Sequence, residues 1–154
     1  MIEADISTDR DRLDVDLIHR FLSERSHWAR GIPRETVERS IAGSLCFGAY
    51  LNGRQVGFAR VISDFATFGW LVDVFVLPEH RGQGIGKRLV DAVVAHPDLQ
   101  GLRRFGLTTA DAHGLYARYG FANPRWPERF MERFDPELYR RSDAPPDLLD
   151  QDAT

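Results

Sequence analysis

The sequence predicts an α/β domain with a mixed sheet, and three features of its middle part indicate this class. Apolar residues 45–51 and 55–62 flank Asn52-Gly53-Arg54, and an Asn-Gly pair is typical of a tight hairpin because it tolerates positive φ. Residues 70–77 are almost continuously apolar, which predicts a strand covered on both faces. Residues 85–96 then have the periodicity of an amphipathic helix.

The N-terminal part of the chain predicts one short strand and two helices. Residues 3–7 are expected to form the strand. Asp14 is expected to be the N-cap of the first helix, since Leu13 and Ile18 have the spacing of a hydrophobic staple. A loop over residues 26–33 ends at Pro33, whose fixed φ suits the start of a second helix. That helix is expected to end near Gly43.

The C-terminal part predicts further strands and one more helix. Residues 103–109 read as a strand, and residues 112–119 as a helix that ends at Gly120. A strand is expected to start at Phe121, and the alternation of residues 129–134 predicts a last strand. The domain is therefore expected to span residues 1–140. The acidic, proline-containing tail, residues 141–154, is expected to be disordered.

The composition indicates a soluble protein of the cytoplasm. The 154 residues are 43% hydrophobic and 28% charged, with a net charge of −3, and Cys46 is the single cysteine. One cysteine excludes a disulfide framework and a thiolate metal cluster. The arginines are interleaved with acidic residues, which cancels the field that a nucleic-acid-binding face requires. No apolar run has the length of a membrane span. We therefore expect no metal, no nucleic acid and no membrane partner.

A glycine-rich loop, residues 81–87 (Arg-Gly-Gln-Gly-Ile-Gly-Lys), lies between the apolar strand and the amphipathic helix. Backbone N–H groups at a helix start form a site for an anion such as a pyrophosphate. The dinucleotide fingerprint does not fit, because Lys87 stands where its third glycine belongs. The P-loop does not fit either, because Arg88 replaces the hydroxyl residue that binds magnesium.

The pattern that does fit is Gln/Arg-x-x-Gly-x-Gly/Ala, which Arg81, Gly84 and Gly86 meet. With it, residues 73–86 and the segment Leu-Tyr-Ala-Arg-Tyr-Gly-Phe, residues 115–121, resemble the GNAT superfamily of acyl-CoA-dependent N-acyltransferases. The resemblance covers roughly residues 1–135. It implies a mixed, mostly antiparallel sheet of six to seven strands with about four helices on both faces.

The resemblance also implies that acetyl-CoA, without a metal, is the acyl donor. Its pyrophosphate and pantetheine would be bound by a loop, a strand end and one polar residue: Phe75, Val76, Leu77, Arg81, Gly82, Gln83, Gly84, Ile85, Gly86, Lys87 and Thr109. Thr109 departs from the family, which often has an asparagine there. The backbone N–H of Val76 is expected to donate to the thioester oxygen.

Two further side chains are expected to take part in the chemistry. Tyr116 matches the family's proton donor to the leaving thiolate, whereas Tyr119, almost one turn later, is expected to be a packing residue. Asp73 is the lone charge of its strand. It is either a base or ammonium anchor for the acceptor, or one half of an internal ion pair with Arg60 or Arg103.

The resemblance therefore predicts an N-acetyltransferase that acts on a small primary amine by direct attack in a ternary complex. Four aromatic residues are expected to line the acceptor site: Trp28, Phe65, Trp70 and Trp126. Two alternatives stay open, a non-catalytic acetyl-CoA-binding module and an acetyltransferase for peptide or protein amines. A homodimer is plausible, since many members of this family are dimers.

Overall fold

The computed structural model describes residues 3–143. The chain divides into two compact units, each built from two segments. Among the described residues, the first comprises 3–14 and 41–122, and the second comprises 15–40 and 123–143. The prediction of a single domain over residues 1–140 stays a prediction. Within residues 3–143, no helix has the length and apolarity needed to cross a membrane.

The first unit contains one five-stranded sheet in the order β1-β2-β3-β4-β5. Its strands are β1 (Asp5–Ser7), β2 (Leu45–Leu51), β3 (Arg54–Ser63), β4 (Phe68–Val76) and β5 (Arg104–Leu107). Neighbours from β1 to β4 are antiparallel, and β5 is parallel to β4. The predicted hairpin is confirmed, with positive φ at both Asn52 and Gly53.

Helix α3 (Ile85–Ala95) packs on this sheet, and the short helix α4 (His113–Ala117) follows β5. The inner side of α3 is completely buried and joins apolar side chains of the strands and of α4 in one core. Its members include Phe47, Val61, Leu71, Leu89 and Tyr116. Because β4 and α3 both contribute to this core, the segment that joins them, residues 77–84, is anchored at both ends.

The second unit contains α1 (Val15–Arg20), most of α2 (Arg34–Ala42) and α5 (Leu138–Asp143). Helix α1 starts one residue after Asp14, as predicted, and continues through a π-helical turn, Phe21–Arg25. Helix α2 starts after Pro33 and ends just before Gly43, as predicted. Arg34 joins α2 to α1 by an ion pair with Asp16, and it also pairs with Glu38 on its own helix.

Two predicted strands are wrong, so the sheet has five strands rather than six or seven. No strand starts at Phe121, because its N–H donates to the Tyr116 carbonyl and closes the end of α4 over Gly120. Residues 129–134 form no strand either. Pro127–Arg129 is a 3-10 turn, and all side chains from 122 to 138 are exposed, so the alternation creates no buried face.

The described residues contain five α-helices rather than about four. The additional one, α5, runs three residues into the segment predicted as a tail. It starts three residues after Asp135, whose side chain accepts the Glu137 N–H. The Tyr139 backbone lies about 3.5 Å from where a Cβ on Gly31 would be. The rest of the predicted tail, residues 144–154, lies outside the described residues.

Candidate active site

The site is centred on the point where β4 and β5 stop pairing. Their parallel ladder runs from Phe68 opposite Arg104 to Leu71 opposite Leu107, where β5 ends. Strand β4 continues for five more residues to Val76. Strand β4 has β3 on one side and β5 on the other. Beyond Leu71, its β5 side is therefore an open edge.

A β-bulge lies at the start of this open segment. Val72 is opposite Arg60, and Phe75 is opposite Phe58. Two residues of β4, Asp73 and Val74, therefore lie opposite a single residue of β3, Ala59. Asp73 has φ 57°, an uncommon value for a residue other than glycine. A bulge increases the local twist and redirects the strand, which is how β4 leaves β5.

Asp73 at the bulge is held by a buried ion pair. Its Oδ2 accepts a hydrogen bond from Arg60 Nε at 3.0 Å, and the two side chains are 7% and 12% exposed. Arg60 also donates to the Ser44 hydroxyl, at 2.9 Å. Of the two roles predicted for Asp73, the internal ion pair is therefore observed, with Arg60 rather than Arg103 as the partner.

The backbone at Val76 points its N–H toward the open edge. Leu77 N–H donates to the Val56 carbonyl on β3, at 2.8 Å. Because successive N–H groups of an extended strand point to opposite sides, the Val76 N–H points away from β3. The Val76 carbonyl accepts a hydrogen bond from Arg81 Nε at 3.0 Å. Arg81 thus ties the loop to the strand end through its side chain.

Two residues of the glycine loop have a backbone conformation that favours glycine. Gly82 and Gly84 have φ 78° and 82°, in the left-handed region, and a Cβ on either would meet no atom within 4 Å. The first hydrogen bond of α3 runs from Arg88 N–H to the Gly84 carbonyl. The N–H groups of residues 85–87 therefore have no acceptor inside the helix.

This loop fits a pyrophosphate. The eleven-residue helix starts with three N–H groups that have no acceptor inside it, and the two glycines before it leave open space where side chains would otherwise stand. Lys87 is exposed nearby and pairs with Asp91 at 3.6 Å, whereas Ile85 is buried and anchors the helix start. Gly86 lies close to the strand end, since a Cβ there would be 3.8 Å from Val76 Cγ2.

The two tyrosines of α4 and its C-terminal turn have different surroundings. Tyr116 is 8% exposed and belongs to the core cluster, and the hydrogen bonds of the described residues leave its hydroxyl without a partner. Burial raises its pKa above the usual value, with a smaller effect from Asp111. The Tyr119 hydroxyl donates to Asp91 Oδ1 at 2.5 Å and thereby links this turn to α3.

Thr109 lies between β5 and α4. Its Oγ1 accepts the Ala112 N–H at 3.0 Å and so satisfies a donor just before the start of α4. The hydroxyl proton is not used in that bond. Thr109 therefore has a structural role, while its predicted contact with the coenzyme stays a prediction.

Comparisons with known proteins agree with this geometry. A sequence model of the acetyltransferase (GNAT) domain matches residues 42–123. A candidate acetyltransferase of Gibberella zeae is 36% identical over an alignment 135 residues long, which covers 73% of this chain and 75% of that protein. The chain belongs to the GNAT acetyltransferase family.

Two solved structures are similar to this chain. A candidate GNAT acetyltransferase of Xanthomonas campestris pv. campestris is 62% identical and has a TM-score of 0.88, over 90% of this chain and 98% of that one. A candidate acetyltransferase of Clostridium acetobutylicum, solved with acetyl-CoA, is 16% identical and has a TM-score of 0.59, over 87% of this chain and 96% of that one. At that identity the second likeness shows the fold alone.

The four predicted acceptor residues of this GNAT protein do not all lie in one unit. Trp70 lies on β4, stacks on Phe68 with ring centroids 6.3 Å apart, and covers Gly106, where a Cβ would come within 2.6 Å of its ring. Phe65 is exposed in the turn before β4. Trp28 and Trp126 belong to the second unit, and their part in acceptor binding stays a prediction.

The sequence did not reveal the bulge or the contact between Ser44 and Arg60. A bulge depends on the register between two strands, which no local pattern records. The ion pair had a partial signal, because a single acidic residue in an apolar strand requires a partner. Nothing in the sequence indicated the contact of Ser44, since a serine directly before a strand belongs to no recognisable motif.

Proposed function

We propose that this protein transfers an acetyl group from acetyl-CoA to a small primary amine. The observation that carries the proposal is the open edge of β4 beyond Leu71, which leads directly into the glycine loop at the start of α3. A strand edge can pair with the amides of a pantetheine arm, and the helix start can bind the diphosphate that follows it.

The groups assigned to the coenzyme are mainly backbone groups. The N–H groups of the loop, residues 82–87, would hold the diphosphate, and the edge of β4 from Phe75 to Leu77 would hold the pantetheine. Arg81 would contribute by fixing the loop against the Val76 carbonyl. When bound, the coenzyme supplies a thioester whose acetyl group the amine accepts.

Val76 N–H is the assigned donor to the oxygen that gains charge during transfer. It points to the open edge, and the alternation of the strand fixes its direction before any ligand arrives. A preorganised donor of this kind contributes about 3–4 kcal/mol to transition-state stabilisation. Because the donor belongs to the backbone, the valine side chain can be replaced without removing it.

Tyr116 is the assigned proton donor to the leaving sulfur. Its raised pKa keeps the phenol protonated at neutral pH, and its free hydroxyl can donate without breaking another hydrogen bond. The proton moves from the phenol oxygen only as the thiolate forms, since an isolated thiol has the lower pKa of the two by about 1.5 units.

The ion pair with Arg60 favours a positioning role for Asp73 over that of a base. Asp73 Oδ2 already accepts a hydrogen bond from Arg60 Nε at 3.0 Å, so the carboxylate is held against β3 by this contact. In this proposal Asp73 holds the bulge in place. The acceptor then reaches the site as the neutral amine, which is the nucleophilic form.

The test is a thiol-release assay with acetyl-CoA and a panel of amines that includes alkylamines, arylalkylamines and N-terminal peptides. We expect thiol release with at least one small primary amine. Tyr116→Phe should lower kcat by roughly tenfold or more, with little change in coenzyme affinity. Tyr119→Phe is the matched control, because it also removes one phenol near α4, and it should keep most of the activity.

Three outcomes would contradict parts of the proposal. Wild-type turnover in Tyr116→Phe would remove its catalytic role. Acetylation of peptides but of no small amine would show that the acceptor is a polypeptide. Tight coenzyme binding without thiol release for any amine would favour a non-catalytic binding module.

A further inference from the structure

A buried series of polar groups runs from the start of β2 across β3 to the bulge of β4. Ser44, directly before β2, is buried, and its hydroxyl accepts a hydrogen bond from Arg60 Nη1 on β3 at 2.9 Å. The Nε of the same arginine donates to Asp73 Oδ2 on β4 at 3.0 Å. One guanidinium therefore connects the bulge to a residue two strands away.

The first residue of this series is itself fixed. Arg10 Nη2 donates to the Ser44 carbonyl at 2.8 Å, and Arg10 Nη1 donates to the Ala42 carbonyl at 3.1 Å. The Ser44 N–H donates to the Ile41 carbonyl at 3.2 Å. Because both backbone groups of Ser44 are bound, its hydroxyl is a well-fixed acceptor for Arg60.

The bulge decides which backbone N–H faces the open edge of β4. The Val56 carbonyl on β3 points toward β4, where it accepts the Leu77 N–H. Without the extra residue, the pairing that places Val72 opposite Arg60 would continue with a shift of one residue. Val76 would then lie opposite Val56, and its N–H would donate to β3 instead of facing the open edge.

The bulge needs side-chain support because its conformation is unfavourable. Asp73 has φ 57°, in the left-handed region that disfavours residues with a side chain. The side chains of Asp73 and Arg60 are almost completely buried. A buried ion pair is generally no more stabilising than apolar residues of the same volume. The presence of this pair is therefore explained by the backbone geometry that it fixes.

We propose that Arg60 and Ser44 are positioning residues, which hold the Val76 N–H toward the thioester oxygen by way of Asp73. This inference rests on the proposed function, because it concerns the donor assigned there. Neither side chain gains or loses a proton during the transfer. Ser44 acts by orienting Arg60, and Arg60 acts by holding the carboxylate at the bulge.

The first test is kinetic. Arg60→Lys keeps the charge, but its single nitrogen cannot span Asp73 and Ser44 as the guanidinium does. We expect kcat to fall by roughly tenfold or more, while acetyl-CoA still raises the melting temperature because the glycine loop is unchanged. Ser44→Ala leaves the ion pair in place and should lower kcat less. The double variant should lose less than the product of the two single effects, since both remove the same contact.

Arg12→Lys is the matched control. It makes the same replacement in another ion pair of the first unit, with Asp5 on β1 at 2.8 Å. Because β1 is three strands away from β4 in the sheet, this variant should keep the kcat of the wild type. An equal fall of kcat in Arg12→Lys and Arg60→Lys would overturn the proposal.

The second test needs neither an acceptor nor the coenzyme. Amide hydrogen exchange of the ligand-free wild type, followed by NMR, should be slow at Leu77 and fast at Val76. In Arg60→Lys the protection of Leu77 should be lost, whereas that of Leu89 inside α3 should remain, since the core is unchanged. Ser44→Ala should show a smaller loss at Leu77 and provides the test if Arg60→Lys does not fold.

The outcomes separate this inference from the proposed function. Unchanged kcat or unchanged protection of Leu77 in both Arg60→Lys and Ser44→Ala would overturn the positioning role. The expected loss of protection in these variants, combined with a wild type that releases no thiol for any amine, would support the role in holding the bulge and contradict the proposed function.

Discussion

Tyr116 and Tyr119 show how surroundings divide the roles of two identical side chains less than one helical turn apart. The Tyr116 side chain is 8% exposed, and its hydroxyl has no hydrogen-bond partner among the described residues, which leaves it available to donate to a ligand. The Tyr119 hydroxyl is bound to Asp91, and Asp91 also pairs with Lys87. The resemblance to GNAT proteins predicted a catalytic Tyr116 and a packing Tyr119. The hydrogen bonds give Tyr119 a structural role, and the catalytic role of Tyr116 stays a prediction.

Tyr119 also predicts a dependence of stability on alkaline pH. Desolvation and the hydrogen bond to Asp91 raise its pKa from 10.0 to about 12. Because the folded-state pKa is raised, its contribution is fully present below about pH 10 and is lost as the pH rises toward about 12. Urea unfolding at intervals across this range should therefore show a steeper loss of stability for the wild type than for Tyr119→Phe. Equal slopes for the two proteins would contradict the role of this hydrogen bond.

At the scale of elements, local patterns were predicted well and pairing patterns were not. The hairpin at Asn52, the loop at Gly84 and helix α3 depend on neighbouring residues, so the sequence contains their signals. The bulge at Asp73 depends on the register between β3 and β4. The strand predicted to start at Phe121 was wrong because its N–H closes α4, a competition that periodicity does not reveal.

The buried ion pair at the bulge should matter more to stability than exposed ones. Arg60→Met leaves the Asp73 carboxylate buried without its counter-charge, which typically costs about 3–5 kcal/mol. Arg34→Met removes ion pairs that are exposed and should change the free energy of unfolding far less. Urea denaturation measures both.

The double variant Arg60→Met with Asp73→Asn provides the control for this prediction, because it removes the uncompensated charge. It should recover part of the stability that Arg60→Met loses. A double variant that is less stable than Arg60→Met would show that the arginine acts through packing rather than through charge.

At the scale of the whole molecule, the groups assigned to the coenzyme all lie in the first unit, on β4, the loop, α3 and the segment from β5 to α4. These residues are close in sequence, which is why their site could be predicted from motifs. The aromatic residues predicted for the acceptor come from four separate segments and from both units. Residues scattered along the chain in this way form no motif with a fixed spacing, so the acceptor could not be predicted beyond its chemical class.

Coenzyme binding should stabilise the protein against unfolding. The rise in melting temperature measures binding without requiring catalysis. A ligand at 100 times its dissociation constant adds about 2.7 kcal/mol, which for a chain of this size raises the melting temperature by about 5–10 °C. Acetyl-CoA should produce this shift in the wild type and in Tyr116→Phe. Gly84→Glu should abolish it, because the new carboxylate lies against the phosphates.

Gly101→Glu is the matched control for Gly84→Glu. Gly101 also has positive φ, 71°, and a Cβ there also meets no atom within 4 Å, so both substitutions add the same charge and similar backbone strain. The two variants should therefore lose comparable stability without ligand, and only Gly101→Glu should respond to acetyl-CoA. An equal response in both would mean that the loop at the start of α3 does not bind the diphosphate, and the proposed function would lose the site on which it rests.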